Sequence, residues 1–397
     1  MLHLLSAAEI FESGARLAPL ADHPRFPWAF APDDAARGLA ARVAAAPEVE
    51  MALALRLEGA ARLEALLKGL RLYQESPVFR DLADPPAIWR AGASRLLDFG
   101  PPSGRPVLVA PSLINRWHIL DLDHDVSLMR HLAAGGLRPL LLDWGEPGPE
   151  EHGFDLSAYV SARLLPALEQ AAALGGGRAA MLGYCMGGAL SIAAAGMRPG
   201  SVSRLALIGA PWDFSHMTPM RGALASLGVS GERARLAQMI NAVAAAFGAV
   251  PVTALQAVFA QLDPGLAARK FRRFAAMEQS GEAARRFVLI EDWLNAGPPL
   301  SGPAAKAALI DWHLENLTMR GLWRVGDHLA DPARLSLPVL VAAATEDRIT
   351  PPGATEAVAR LAPGAVMLRP RSGHVGMIVG QMAESGLWRP LADFLSG

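Results

Sequence analysis

The sequence predicts an α/β protein with a mostly parallel sheet covered by helices on both faces. Short apolar runs alternate with helical segments from about residue 105 onward, which is typical of parallel sheets because each crossover between parallel strands is usually a helix. A glycine-flanked cysteine also lies between one apolar run and the next helical one. The predicted strands cover residues 106–110, 138–143, 179–182, 205–209, 338–343 and 365–368.

Composition limits the classes of function. The 397 residues are 52% hydrophobic and carry a formal net charge of −1, so a large core is expected and the overall charge gives no reason to expect nucleic acid as a partner. The single cysteine, Cys185, cannot form an intrachain disulfide, which fits a reducing cytoplasm. We expect no signal peptide at residues 1–30 and no membrane span at the most apolar segment, 242–262, which polar residues and Pro251 interrupt.

Three regions are predicted along the chain. Residues 1–95 are expected to be a helical N-terminal region, because 48–73 has helical apolar spacing. Residues 96–212 and 332–397 contain the predicted strands and form the core. Between them, 213–331 lacks strand patterns and has helical segments broken by Gly and Pro. Its position after the strand at 205–209 predicts a cap over the carboxyl edge of the sheet, where it would exclude water.

Residues 183–187 read G-Y-C-M-G and join a predicted strand to a helix at 188–197. This G-x-C-x-G pattern is typical of a nucleophile elbow, here with cysteine in place of the usual serine. The turn is so tight that the flanking side chains must be small. The turn also points the N-terminus of the following helix toward the sulfur, and the positive end of the helix dipole favours a thiolate there.

A thiolate nucleophile needs a base, and the base needs a group that orients it. His374 follows the last predicted strand, and Asp347 follows the strand before it. The order Cys185, Asp347, His374 is that of the α/β-hydrolase fold, which is therefore the predicted fold. Asp213 and Asp143 also follow predicted strands and are alternative acids. Asp347 is preferred for its spacing to His374.

The predicted oxyanion hole combines the backbone N–H of Met186 with that of Leu113 or Ile114 in the loop after the strand at 106–110. The sequence does not choose between these two loop residues. We expect no metal and no bound cofactor, because His118, His124, His216 and His313 have no metal-ligand spacing with a partner.

These motifs resemble those of the polyhydroxyalkanoate (poly-β-hydroxybutyrate) synthases. Residues 111–122, P-S-L-I-N-R-W-H-I-L-D-L, are similar to that family's signature P-x-x-I-N-[KR]-x-x-I-L-D-L. The stretches V-S-L-M-R-H at 126–131 and L-L-D-W at 141–144 look like those that follow it, and 183–188 matches the family's cysteine box. Residues 212–215, Asp347 and 373–375 fall at equivalent places. The chain departs from the pattern at Arg348, where the family usually has His, in its shorter N-terminal region and in its cap.

The resemblance implies an acyltransferase that forms polyester from (R)-3-hydroxyacyl-CoA with release of CoA, through a Cys-His-Asp triad and a covalent acyl-enzyme. The implied partners are the acyl-CoA substrate and a polyester chain or granule surface, with a homodimer or a second synthase subunit left open. The implied location is cytoplasmic, with granule association left open. Two alternatives remain: a cysteine-dependent α/β hydrolase (a thioesterase, an esterase or a dienelactone-hydrolase-like enzyme), and a catalytically inactive member that binds a granule or a partner synthase.

Overall fold

The computed structural model describes residues 34–217, 233–260, 263 and 265–397. By its contacts the chain divides into two compact units. One contains the described parts of 1–78 together with Asp263–Val288, and the other contains the described parts of 79–262 and 289–397. This division does not follow the boundaries predicted at residues 95, 212 and 331, which stay predictions.

The helices alternate with strands in the second unit, as the sequence pattern indicates. In chain order the α-helices are α1 (Asp34–Ala45), α2 (Glu48–Gln74), α3 (Leu128–Ala134), α4 (Leu156–Tyr159), α5 (Leu165–Leu174), α6 (Met186–Met197), α7 (Arg233–Phe247), α8 (Val252–Ala260), α9 (Leu266–Ala275), α10 (Glu282–Asn295), α11 (Gly302–Lys306), α12 (Pro352–Leu361), α13 (Gly376–Val379) and α14 (Arg389–Ser396). Wider π-helical turns occur at Val160–Leu164, Ala307–Leu314 and Glu384–Trp388. Short 3₁₀ turns occur at Trp117–Leu120, Glu151–Gly153, Phe214–His216 and Pro332–Arg334.

Eight of the described strands form one sheet. The strands are β1 (Ala87–Ala91), β2 (Ser94–Asp98), β3 (Arg105–Ala110), β4 (Leu137–Asp143), β5 (Ala179–Tyr184), β6 (Val202–Ile208), β7 (Arg324–Val325), β8 (His328–Leu329), β9 (Val339–Ala342) and β10 (Val366–Leu368). The sheet order is β1-β2-β4-β3-β5-β6-β9-β10, and β7 and β8 form a separate small ladder. The pairs from β4 to β10 are parallel. The predicted parallel sheet is confirmed, and each predicted strand is found within three residues of its expected bounds.

The core lies where the apolar strands meet the helices. In β3 and β5 almost every side chain is buried, as expected for strands in the middle of a parallel sheet that is covered on both faces. Helix α6 buries Met186 to Ala195 against them. These central strands end at one edge of the sheet, and that edge carries the predicted functional residues.

The strands β1 and β2 were missed, because the sequence predicted a wholly helical region up to residue 95. They form an antiparallel hairpin at the edge of the sheet, with β2 antiparallel to β4. Each strand has only five residues, and the first alternates between half-buried and exposed positions, so neither gives a long apolar run. The turn has Gly92 at φ 52°. Buried Glu151 anchors it by accepting a hydrogen bond from the Ala93 N–H at 3.0 Å.

In the first unit, α1 and α2 lie in the region predicted to be helical, and residues 1–33 of that prediction lie outside the described residues. Helix α9 packs on α2 at Gly69, where a Cβ atom would be 2.0 Å from the carbonyl oxygen of Phe271. A small apolar core surrounds Phe274, Ala284 and Val288.

The most apolar segment, 242–262, contains the end of α7 and all of α8, and residues 261 and 262 lie outside the described residues. Ile240, Leu255 and Val258 are buried in the main core, whereas Phe247 is 71% exposed. No described helix combines the length and the apolar character needed to cross a membrane.

Asp121 organises the loop that follows β3. Its side chain is fully buried, and it accepts hydrogen bonds from Arg80 at 3.0 Å and from Arg130 Nε at 2.8 Å. Arg80 also donates to the Asp121 carbonyl at 3.0 Å. The carboxylate therefore joins two separate parts of the chain, and its charge is compensated by two guanidinium groups.

We predict that Asp121→Ala lowers the free energy of unfolding by about 3 kcal/mol, because it leaves two guanidinium groups without their buried partner. Arg369→Ala is the control: it breaks an exposed ion pair with Glu356 and should cost about 0.5 kcal/mol or less. Urea unfolding followed by circular dichroism measures both. Equal midpoints for the two variants would contradict the prediction.

Candidate active site

Cys185 lies in the sharp turn between β5 and α6. Its backbone has φ 54° and ψ −128°, a region that non-glycine residues rarely adopt. The Cys185 N–H donates to the Ile208 carbonyl at 2.8 Å, which ties the turn to the neighbouring strand β6. The predicted elbow is therefore present, with a strained cysteine at its apex.

Glycines make this turn possible because the backbones approach closely. A Cβ atom at Gly183 would be 2.4 Å from the Gly188 Cα. A Cβ atom at Gly187 would be 2.2 Å from the Ala110 carbonyl oxygen, and one at Gly188 would be 2.3 Å from the Ala210 Cβ. Backbone atoms cannot move aside as a flexible side chain can, so larger residues would open the turn.

Asp347 and His374 come together from the loops after β9 and β10. His374 Nδ1 is 2.7 Å from Asp347 Oδ2, and both residues are buried, with exposures of 6% and 4%. The Cys185 sulfur lies near enough to the His374 imidazole for electrostatic attraction between them to raise the pKa of His374. The structure thus brings together the three predicted residues Cys185, His374 and Asp347.

The Asp347 carboxylate is satisfied by donors from its own loop. Its Oδ1 accepts from the backbone N–H groups of Ile349 at 2.9 Å and Thr350 at 2.8 Å. Its Oδ2 accepts from the Thr350 hydroxyl at 2.8 Å in addition to His374. Four donors match the lone pairs of an ionised carboxylate, so this buried group can keep its negative charge.

The charges around His374 favour its protonated form. Burial by itself lowers the pKa of His374, but attraction to Cys185 and Asp347 and the hydrogen bond with Asp347 outweigh it and raise the pKa to about 10. An imidazolium at His374 is therefore stable at neutral pH when the neighbouring sulfur is negative. Such an ion pair makes cysteine a reactive nucleophile.

Tyr184 and Gly209 enclose the imidazole ring. The Tyr184 ring stacks on His374 with a centroid separation of 5.2 Å and an interplanar angle of 26°. Gly209 has φ 54°, and a Cβ atom there would be 2.9 Å from His374 Cε1. These contacts leave the ring little freedom to rotate.

The alternative acids have other partners. Asp143 pairs with Arg95 at 2.7 Å and accepts from the Gly145 N–H. Asp213 accepts from Asn316 at 2.9 Å and from the Ser215 hydroxyl at 2.6 Å. Burial raises the pKa of Asp213, but these hydrogen bonds outweigh it and lower the pKa. The carboxylate that accepts a hydrogen bond from His374 is that of Asp347.

The predicted oxyanion donors lie around the elbow. Met186 is the first residue of α6, so its N–H has no acceptor within the helix. The Ile114 N–H donates to Ser112 Oγ at 3.1 Å, whereas the N–H of Leu113 has no hydrogen-bond partner within the described residues. Leu113 also lines a small cleft together with Asn115, Arg116, Trp117, Asp143, Trp144, Gly145 and Pro298.

The other histidines have separate environments. Burial lowers the pKa of His118 to about 4, and it lowers that of His313 to about 4 as well. His216 lies 3.7 Å from Asp213. Within the described ranges no group of three His, Cys, Asp or Glu side chains is arranged to hold a metal ion.

Comparisons with known proteins identify a family and several relatives. The chain belongs to the α/β hydrolase fold family, whose family model matches residues 106–381. It is similar to the poly(3-hydroxyalkanoate) polymerase subunit PhaC of Haloferax mediterranei, with 29% identity over 73% of this chain and 58% of that protein. It is also similar to the protein of the same name from Synechocystis, with 27% identity over 73% of this chain and 77% of that protein. The chain thus spans less than two thirds of the Haloferax relative.

Among solved structures, a monoacylglycerol lipase of Paleococcus ferrophilus has 17% identity and a TM-score of 0.48, covering 76% of this chain and 97% of that one.

Sequence reasoning did not identify Thr350, Tyr184 or Gly209 as neighbours of His374. Tyr184 and Thr350 lie next to or near predicted residues, so proximity along the chain was an available signal. Gly209 carried the signal of a glycine at the end of the predicted strand at 205–209. None of these signals gives the side-chain contacts, which depend on how three loops meet.

We predict that His374→Ala slows the alkylation of Cys185 by iodoacetamide at about pH 7. The substitution removes the imidazolium, which attraction to Cys185 and Asp347 stabilises, and a neighbouring cation favours the reactive thiolate over the thiol. The rate should fall about tenfold.

Alkylation stopped at a series of times and followed by mass spectrometry gives the rate for the unsubstituted protein and for the variant. Equal rates for the two proteins would contradict the prediction.

Proposed function

We propose that this chain is an acyltransferase that makes polyester from (R)-3-hydroxyacyl-CoA and releases CoA, with Cys185 as nucleophile, His374 as base and Asp347 as the orienting acid. One observation supports this most: a strained cysteine elbow beside a buried His–Asp pair occurs in a chain similar over 73% of its length to poly(3-hydroxyalkanoate) polymerase subunits. A thiolate suits a thioester substrate because the attacking and leaving sulfurs are similar in basicity.

In the acylation step, the Cys185 thiolate attacks the thioester carbonyl. The new Sγ–C bond forms, the bond from carbon to the CoA sulfur breaks, and the His374 imidazolium gives its proton to the departing thiolate. His374 can be this acid because attraction to Cys185 and Asp347 keeps its pKa near 10 while the sulfur is charged. Asp347 stays ionised and stabilises the imidazolium.

Acylation removes the negative charge from the sulfur. Since Cys185 is one cause of the raised pKa of His374, this pKa falls once the sulfur is acylated. Neutral His374 can then accept a proton from the hydroxyl group of another hydroxyacyl unit, whose oxygen attacks the acyl carbon. The new ester bond forms, the Sγ–C bond breaks, and the ion pair is restored by the proton on His374.

The oxyanion of each tetrahedral intermediate needs two N–H donors. We assign them to Met186 and Leu113, because the Ile114 N–H already donates to Ser112 Oγ. The N–H of Met186 starts α6, so the positive end of that helix dipole adds to the stabilisation.

The proposal includes the partners and surroundings. The substrate is an acyl-CoA, the product chain or granule surface is the other partner, and a homodimer or second synthase subunit remains part of the hypothesis. No bound cofactor takes part, since the thioester supplies the driving force. Polymer formation requires that water be kept from the acyl-enzyme, and we assign this task to the predicted cap at 213–331. The proposed location is the cytoplasm, beside polyester granules.

The choice of acid is tested by comparing Asp347→Asn with Asp213→Asn. Asp347→Asn should lower kcat by about 100-fold or more, because the imidazole loses the carboxylate that fixes its tautomer. Asp213→Asn should have an effect of less than about fivefold, because its partners are Ser215 and Asn316. A larger loss in Asp213→Asn would place the acid after β6.

Product analysis tests the function itself. Purified protein given 3-hydroxybutyryl-CoA should release CoA, detected with a thiol reagent, and form chloroform-extractable polyester, detected by chromatography. Cys185→Ala is the matched control and should do neither, because it removes the sulfur that forms the acyl-enzyme. Stoichiometric free 3-hydroxybutyrate without polymer would overturn the synthase proposal in favour of a thioesterase.

Absence of CoA release, with Cys185 still reactive to iodoacetamide, would also count against this chain acting alone. Adding extract of a polymer-forming host then separates two cases. Restored polymer formation indicates a required second subunit, and continued inactivity indicates an ester or lactone hydrolase.

A further inference from the structure

Thr350 contacts both the acid and the base of the proposed triad. Its Oγ1 is 2.8 Å from Asp347 Oδ2 and 3.0 Å from His374 Nδ1. The side chain is 2% exposed, so water does not compete strongly for these bonds. Three polar atoms, Thr350 Oγ1, Asp347 Oδ2 and His374 Nδ1, therefore form a closed triangle in the interior.

The hydrogen atoms of this triangle can be assigned from the chemistry of its members. An ionised carboxylate only accepts, so the Thr350 hydroxyl donates to Asp347 Oδ2 and His374 Nδ1 carries a hydrogen. The free lone pairs of Thr350 Oγ1 then face the same Nδ1–H. The Nδ1–H thus has two acceptors, at 2.7 Å and 3.0 Å, and Nε2 is the nitrogen left for Cys185.

We propose that Thr350 is a positioning residue that shares with Asp347 the task of holding His374 in its Nδ1–H form with Nε2 free for Cys185. The catalytic role of Thr350 rests on the proposed function, whereas the hydrogen bonds from which that role is inferred are features of the structure. It assigns to Thr350 more than closure of the Asp347 loop, because the backbone N–H of Thr350 already performs that task at 2.8 Å. The hydroxyl adds the contact with the base.

Shared positioning has a measurable consequence. While Asp347 is present, loss of the hydroxyl removes only the weaker acceptor of the Nδ1–H. When Asp347 is removed, the hydroxyl loses its own acceptor and can turn fully toward His374, where it becomes the remaining orienting group. The effect of Thr350 is therefore expected to be larger without Asp347 than with it, and contacting residues of one network commonly show such non-additivity.

The experiment is a double-mutant cycle that uses alkylation of Cys185 by iodoacetamide at about pH 6, where a free thiol of pKa about 8.5 is only about 0.3% ionised. His374→Ala defines the rate without the ion pair. We expect Thr350→Val to slow alkylation about threefold, and Asp347→Ala to remain about tenfold faster than His374→Ala. The double variant Asp347→Ala/Thr350→Val should fall to the rate of His374→Ala.

Two further variants distinguish the effect of the hydroxyl group from the effect of side-chain packing. Thr350→Ser restores the hydroxyl and should regain at least half of the original rate. Thr355→Val is the matched control, because Thr355 is fully buried on α12 and its hydroxyl has no partner within the described residues; it should leave the alkylation rate unchanged. Thermal unfolding of each variant checks that the protein is folded at the assay temperature.

The inference would be overturned if Thr350→Val slowed alkylation by the same factor with and without Asp347. It would also be overturned if Thr350→Ser reacted no faster than Thr350→Val. Alkylation requires no acyl-CoA, so this outcome is independent of the product assay. If the double-mutant cycle gives the expected alkylation rates but the protein makes no polyester, the proposed function is refuted and the positioning role of Thr350 is retained.

Discussion

Between β5 and α6 the chain reverses direction at a single residue, Cys185, and the rest of the site is arranged around that turn. The turn requires backbone atoms of β5, α6 and the loop after β3 to approach so closely that Gly183, Gly187 and Gly188 cannot carry a Cβ atom. Burial of α6 against the sheet compensates the strain at φ 54°. The same approach brings the start of α6 close to the loop after β3, so one geometric constraint positions both the proposed nucleophile and the proposed anion-stabilising donors.

The second requirement is electrostatic. His374 is buried, and a buried imidazole would ordinarily be neutral at pH 7. Its raised pKa depends on two negative partners, Cys185 and Asp347, and Asp347 in turn depends on three donors from its own loop in addition to His374. Because one of the two negative partners is also the proposed nucleophile, the proton affinity of His374 would change on acylation of the sulfur. In the proposed mechanism a single imidazole thereby acts first as an acid and then as a base.

Much of the candidate site could be predicted from particular residues. Cys185 stood in a glycine-flanked turn, and Asp347 and His374 each followed an apolar run in the order that the fold requires. Other features could not be predicted because they depend on contacts between segments far apart in the chain. The proposed choice of Leu113 over Ile114 depends on a Ser112 hydroxyl that accepts the Ile114 N–H. The proposed choice of Asp347 over Asp213 depends in part on Asn316, which is 103 residues from Asp213 and donates to it.

The sequence by itself determined the parallel sheet, its central strands and the loops that carry the reactive residues, because long buried strands and helices have periodic apolar patterns that are visible locally. Only the tertiary structure decided the edge hairpin of β1 and β2, whose five-residue strands are too short and too polar to give such a pattern and which are held by the distant side chain of Glu151. It also decided that Thr350 and Tyr184 meet His374. Hydrogen bonds and ring contacts act over a few ångströms, so they exist only once the sheet has brought the ends of its strands to a common edge.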